Sequence, residues 1–175
     1  MKRVAITGPE STGKSHLSKE LASVFGTVYV KEMAREYIAG LEGNYQETDI
    51  VKIAQAQLHE EERLSSHAKD FLFCDTELIV TKIWSLHKYE KCHPWILAQI
   101  EKKPYDLYLL CDIDLPWKFD PQREHPHLRE YFLQWYIKEL ENYHFPYYIV
   151  KGQGTNRVDD AVKKIQSYFK TNAHE

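Results

Sequence analysis

The chain has 175 residues, enough for one globular domain with its own core and too few for two comfortable ones. Hydrophobic residues make up 43% and charged residues 28%, the balance of a folded soluble chain rather than a disordered one. A net charge of −3, with lysines and arginines dispersed among acids, argues against a nucleic-acid partner. The apolar run behind Met1-Lys2-Arg3 is too short for a signal peptide, and nothing downstream reaches a membrane-spanning length. Cys74, Cys92 and Cys111 form no C-x-x-C pair, and two of them end apolar runs. Reduced thiols and a cytoplasmic protein are therefore expected.

In chain order, Arg3 to Thr7 reads as a short strand that stops at Gly8, and Lys14 to Val24 as a helix with Leu17, Leu21 and Val24 on one stripe. Gly26 ends that helix, and Thr27 to Val30 is a second strand. A long helix follows over Glu47 to Ala68, then a strand over Phe71 to Cys74 that ends at Asp75. Helices over Leu78 to Leu86 and Trp95 to Ile100 precede a strand at Leu107 to Cys111. The polar, proline-interrupted stretch from Asp112 to His127 is too long for a turn and too polar for a core element, and it reads as a mobile loop, with a lid at about 114–127. A helix over Leu128 to Tyr143, a strand over Tyr147 to Val150 and a helix over Val158 to Phe169 complete the chain. Alternating strands and helices predict a single α/β domain over 1–175. The expected architecture is a three-layer α/β/α P-loop NTP hydrolase fold with a mostly parallel five-stranded sheet.

The strongest motif lies between the first strand and the first helix. Gly8-Pro9-Glu10-Ser11-Thr12-Gly13-Lys14-Ser15 has the G-x-x-x-x-G-K-S spacing of a phosphate-binding loop. Gly8 and Gly13 permit the backbone conformations that turn successive N–H groups toward phosphate oxygens, and the helix start adds its positive dipole end. The whole loop, Glu10, Ser11, Thr12 and His16 included, is expected to hold ATP. Lys14 would reach the β- and γ-phosphates and the Ser15 hydroxyl would hold Mg²⁺.

Such an enzyme places an acid at the end of a neighbouring strand to manage magnesium, and Asp75 fits that position; an ordinary helix N-cap is the competing explanation. A kinase acting on a hydroxyl also benefits from a carboxylate that takes the proton, and Glu32 follows the second strand. Glu32, Arg35 and Glu36 share a face if a helix starts there, though a surface ion pair would give the same pattern, and Glu36 or Asp75 could serve as base instead. Asp120, Arg123 and Arg129 sit on or beside the long loop, where a closing arginine would stabilise the transferring phosphoryl group. Trp84, Trp117, Tyr37, Tyr89 and Tyr105 could each stack on a base or simply fill the core. The nine histidines show no metal-ligand spacing, and no zinc site is expected.

These motifs, taken with Phe73-Cys74-Asp75-Thr76, His93-Pro94, Tyr105-Asp106-Leu107 and Asp114-Leu115-Pro116-Trp117 before Asp120 and Arg123, resemble the nicotinamide riboside kinase domain of the bifunctional bacterial NAD-biosynthesis regulators, the NadR-like family. The resemblance runs in order from residue 3 to about 150. It implies transfer of the ATP γ-phosphate to the 5′-hydroxyl of nicotinamide riboside, with Glu32 and Asp75 at the catalytic and metal centre and Arg123 on a lid. It also implies Arg35, Gln57, Thr76 and Trp84 at the nucleoside. Three departures stand out. No counterpart of the adenylyltransferase domain is present, so the expected chain is a stand-alone kinase that stops at the mononucleotide. Glu77 replaces the usual aspartate, and the lid segment carries Gln122-Arg123-Glu124-His125 where an uncharged run is common.

Two other readings compete. A P-loop kinase for another nucleoside or small metabolite would share every element outside the pocket. A switch protein or a non-catalytic ATP-binding domain is the more distant alternative. Asn156-Arg157-Val158-Asp159 superficially resembles a guanine-reading N-K-x-D, but it follows its strand late and has arginine in place of lysine. Asn156 is instead expected near the adenine of ATP.

Overall fold

The structure, a computed structural model, describes residues 1–171. Five strands, β1 (Lys2–Thr7), β2 (Tyr29–Val30), β3 (Phe71–Asp75), β4 (Leu107–Cys111) and β5 (Tyr147–Val150), form one sheet in the order β2-β3-β1-β4-β5. Every pairing is parallel, so the expected mostly parallel sheet is wholly parallel. The helices are α1 (Lys14–Val24), α2 (Met33–Ala39), α3 (Glu47–Ser65), α4 (Leu78–Tyr89), α5 (Pro94–Glu101), α6 (Arg129–Asn142) and α7 (Thr155–Thr171). Among the described residues no helix is long and apolar enough to cross a membrane.

Strand alternation divides the core. Val4, Ile6, Phe73, Leu107, Leu109 and Cys111 pack with Leu17 and Leu21 of α1 and Ala161 and Ile165 of α7. Their neighbours Ala5, Leu72, Cys74, Tyr108 and Leu110 face the other way, onto Ile50 and Ala54 of α3, Ile79 and Ile83 of α4, Ile96 of α5 and Leu133 of α6. Burial on both faces explains why β4 reads as an unbroken apolar run, LYLLC, rather than an alternating one. The layers are therefore α1 and α7, the sheet, and α3 to α6.

Local chemistry sets the ends of the elements. The second strand shortens to Tyr29–Val30, and Thr27 before it is held by its Oγ1 donating to Phe71 O at 2.7 Å. The long helix stops at Ser65 rather than Ala68, where Ser65 Oγ bonds back to Glu62 O at 2.6 Å. Pro94 opens α5 with His93 Nδ1 accepting from Trp95 N at 3.1 Å. The acid that caps α4 is Glu77, not Asp75: it accepts from Ile79 N at 2.6 Å and Val80 N at 3.3 Å. Asp75 is thereby freed for other work.

Two buried acids lie beneath the site. Glu77 also accepts from Thr7 Oγ1 at 2.8 Å and so ties the end of β1 to α4. Glu61, on the sheet-facing side of α3, is wholly buried; Tyr105 Oη donates to its Oε1 at 2.8 Å, while Oε2 has no partner. Burial pushes the Glu61 carboxyl up to about 7, against the pull of Tyr105, Gln57 and Arg3. Because its folded value lies above its unfolded one, the folded chain holds the extra proton between about pH 4.5 and 7, and that stabilisation disappears as pH rises through about 7. The thermal unfolding midpoint is expected to fall between pH 5 and pH 8, and Glu61→Gln is expected to flatten that slope and unfold higher than wild type at pH 8. Parallel melting curves for the two proteins check this; equal slopes would assign the pH dependence elsewhere.

Candidate active site

The parallel order β3-β1-β4 brings three strand ends together. Asp75 pairs with Ile6 in the register of β3 against β1, and Thr76 N donates to Ile6 O at 3.0 Å. On the other side Thr7 lies opposite Leu110. The loop leaving β1 thus has Asp75 on one flank and the exit of β4 on the other.

That loop is shaped as the motif predicts. Gly8 has φ 129° and Gly13 φ 79°, both in the range that L-residues avoid. A Cβ on Gly8 would lie 2.9 Å from Cys111 O, and one on Gly13 2.9 Å from Leu115 Cδ1. Ser11, at φ 58°, also takes the left-handed region. Gly13 offers no side chain to cap α1, and the first turn of that helix carries no acid, so its leading N–H groups stay open to an anion. Lys14 Nζ lies across the loop and donates to Gly8 O and Pro9 O, each at 2.8 Å. Thr12 Oγ1 braces it from within through Pro9 O at 2.8 Å.

Asp75 is 2% exposed, and its Oδ1 has no hydrogen-bond partner. Burial raises its carboxyl to about 6, the Glu32 carboxylate adds to the rise, and Ser15, Lys14 and Arg35 pull the other way. A buried carboxylate oxygen left without a donor, beside a serine hydroxyl on the phosphate loop, is a hard-oxygen set that fits Mg²⁺.

A cavity of about 480 Å³ opens from the loop. Gly8 to His16 form one wall, and Glu32, Arg35, Gln57, Thr76, Trp84 and Arg123 line the rest, together with Ile53, Ala54, Leu78, Ile83 and Phe132. Asp75, Asp120 and Arg129, which the sequence also singles out, do not line this cavity. Glu32 ends the turn before α2, and Arg35 Nε donates to its Oε2 at 2.9 Å while Nη1 reaches Asp120 Oδ2, also at 2.9 Å. Gln57 Oε1 accepts from Met33 N at 3.2 Å and Nε2 donates to Glu61 at 3.4 Å, so its amide joins α3 to the start of α2. Glu36 is exposed on the far side of α2 and does not line the cavity. Asn156 does not line it either; it is exposed in the first turn of α7.

The 112–128 segment carries no helix or strand and lies over the phosphate loop. Lys118 N donates to Ser11 Oγ at 2.8 Å, Arg129 Nη1 to Leu115 O at 2.8 Å, and Arg123 Nη1 to Lys118 O. The Glu10 carboxylate accepts from Glu124 N at 3.2 Å and His125 N at 3.1 Å. Of the aromatic candidates only Trp84 lines the cavity. Tyr105 is buried against Glu61, Tyr37 donates to Asp49 Oδ1 at 2.8 Å, Tyr89 donates to Tyr45 O at 3.4 Å, and Trp117 lies 5.9 Å from the Arg129 guanidinium.

Sequence reasoning misses Tyr45 and Tyr136, which line the cavity. Tyr45 stands in a polar loop without periodicity; its Oη accepts from Trp84 Nε1 at 2.9 Å, and the two rings meet edge to face at 4.8 Å. Tyr136 lies at core spacing on α6, where nothing distinguishes a cavity wall from a packed interior. Arg157 is a further omission: the sequence places it just before a helix over Val158 to Phe169, whereas it stands in the first turn of α7 with acceptors supplied by other segments.

Comparison with known proteins agrees with this geometry. The AAA domain family model matches residues 3–157. The trifunctional NAD biosynthesis/regulator protein NadR of Salmonella typhimurium, and that of Escherichia coli, is 34% identical over 128 residues, 70% of this chain and 31% of theirs. The chain thus spans about a third of the curated relatives it matches. A crystal structure of NadR in complex with NR superposes with a TM-score of 0.80 at 21% identity, over 95% of this chain and 50% of that one. A deoxyadenosine kinase from M. mycoides superposes with 0.63 at 14%, over 94% and 99%. At such identities these two likenesses speak to the three-layer P-loop fold. With the family model covering nearly all of the sequence and the phosphate loop, strand-end acid and overlying loop arranged as described, the chain belongs to the AAA domain family.

Proposed function

We propose that this chain transfers the γ-phosphoryl group of ATP to the 5′-hydroxyl of nicotinamide riboside, giving nicotinamide mononucleotide. The observation that carries the reading is the single cavity shared by the phosphate loop and the Glu32, Arg35, Gln57 and Trp84 wall, which lets a triphosphate and a nucleoside meet end to end. The similarity to NadR, one structure of which is described as a complex with NR, favours the pyridine riboside among nucleosides.

Each group then has a task. Lys14 exchanges its two carbonyl partners for phosphate oxygens, and the open N-terminus of α1 receives the charge. Arg35 fixes Glu32 through Oε2, which leaves Oε1 to orient the acceptor hydroxyl and take its proton. Arg123, on the overlying loop, lies close enough to Ser11, at 3.5 Å, to meet the charge that develops on the transferring group. Ser15 and Asp75 would hold Mg²⁺, which supplies positive charge to the phosphates. Trp84 offers its indole face to the heterocycle, its Nε1–H already engaged by Tyr45.

ATP consumption by the purified protein with Mg²⁺, across a panel of nucleosides, tests the reading. Turnover on nicotinamide riboside well above the others is expected; turnover on a different compound alone would keep a P-loop kinase and discard this substrate. Lys14→Ala is expected to lower kcat by about three orders of magnitude in a chain that still folds, since it removes the phosphate-loop cation that now bonds Gly8 O and Pro9 O and would meet the phosphates. Glu32→Gln should cost kcat about 10²- to 10⁴-fold with little change in KM for ATP, and full activity in that variant would move the base elsewhere.

A further inference from the structure

Glu32, the proposed base, stands one residue before a helix that packing alone does not hold. α2 has seven residues, none of them buried, and its N-cap residue makes no side-chain cap. A helix that short is marginal by itself, so polar ties to its surroundings decide where Glu32 stands. Arg35 ties α2 to Asp120 on the overlying loop at 2.9 Å, and Tyr37 ties its second half to Asp49 at 2.8 Å. The tie nearest Glu32 is made by Met33 N, which donates to Gln57 Oε1 at 3.2 Å.

That bond places a demand on Gln57. Its amide oxygen must face Met33 N–H, because the reversed amide would set two donors against each other. Nε2 is then turned away from α2, on a side chain only 3% exposed, and it needs an acceptor there. Glu61 supplies one from the next turn of α3: its Oε1 accepts from Gln57 Nε2 at 3.4 Å and from Tyr105 Oη at 2.8 Å. Glu61 is 0% exposed, and its Oε2 has no partner. A buried acid with one oxygen idle is a costly way to fill space, and an apolar side chain of similar volume would fill it at less cost. What the position contributes is the acceptor at Oε1. A relay thus runs from Tyr105, at the approach to β4, through Glu61 and Gln57 to the backbone beside Glu32.

We propose that Glu61 is a positioning residue for phosphoryl transfer: by holding the Gln57 amide in one orientation it fixes the start of α2, and with it the Glu32 carboxylate, against the acceptor hydroxyl. The inference rests on the kinase reading with Glu32 as base. Glu61 does not line the cavity and acts only through Gln57. Arg35 steadies the Glu32 side chain from one side, and the relay steadies its backbone from the other. Precision matters there, since a displacement of about 1 Å at a reacting group costs up to about 10²-fold in rate.

Two substitutions separate positioning from packing. Glu61→Met keeps the volume and removes the acceptor, whereas Glu61→Gln keeps an oxygen for Gln57 and Tyr105. With the nucleoside that wild type turns over fastest as acceptor, Glu61→Met is expected to lower kcat about tenfold while KM for ATP changes less than about twofold. Glu61→Gln is expected to stay within about threefold of wild type. Hydrogen exchange at the Met33 amide, read by NMR on the ligand-free protein, is expected to quicken about tenfold in Glu61→Met and to stay near the wild-type rate in Glu61→Gln. Glu61→Leu makes the same removal if the methionine variant is unstable. A folded variant that lacks the acceptor and keeps full kcat would overturn the proposal. So would unchanged exchange at Met33, or a glutamine variant as impaired as the methionine one. Wild type that turns over no nucleoside would instead sink the kinase reading, whatever the exchange at Met33 shows.

Discussion

The architecture depends on one requirement: a row of backbone N–H groups must be kept free of side-chain partners at the point where β1 becomes α1. The chain caps α4 with Glu77 and α5 with His93, and gives α2 and α6 no side-chain cap of their own. At α1 it withholds such a cap and gives Gly13 the left-handed conformation instead. An uncapped helix end sacrifices local stability, and the compensation is spread through the surroundings: Thr12 bonded to Pro9 O, Arg157 bonded to Thr12 O, and Lys14 neutralising two loop carbonyls. The wholly parallel sheet serves the same end. With β3 and β4 on either side of β1, a strand-end acid and a long crossing segment arrive at the loop from opposite flanks.

Charge is distributed with the same logic. Glu32 and Asp75 are close enough to raise the proton affinity of the buried one, and Arg35 and Lys14 limit that rise. Arg35 also reaches Asp120, so the helix that follows the acceptor carboxylate and the overlying loop share one cation. Glu10 makes the complementary link by accepting two N–H groups from Glu124 and His125. The loop over the site is therefore anchored at Asp120 and at Glu124-His125 to groups that border the proposed reaction path, and its conformation is coupled to theirs.

Much of this was legible in the sequence because the signals were local. The glycine spacing of Gly8 and Gly13, the unbroken apolar run of β4 and the strand-ending Asp75 each follow from short-range constraints on backbone or burial. Less legible were features that depend on distant partners. The role of Glu77 as a helix cap depends on its carboxylate reaching back to Ile79 N and Val80 N. Tyr136 reads as core because a cavity wall and a core share helical spacing. Arg157 resembled a degenerate base-reading motif, since sequence shows the type of residue but not the four carbonyl and carboxylate oxygens that converge on it from other segments.

The margins of the sheet carry a separate consequence. β2 contributes two residues to one border, and the other border, β5, is four residues long with Lys164 Nζ donating to Ile149 O at 2.8 Å. A foreign strand seeking to extend the sheet would find almost no ladder at one side and a lysine already occupying a backbone acceptor at the other. The wide apolar interior is thus shielded from strand-by-strand polymerisation, which suits a chain whose hydrophobic strands would otherwise be good templates for aggregation.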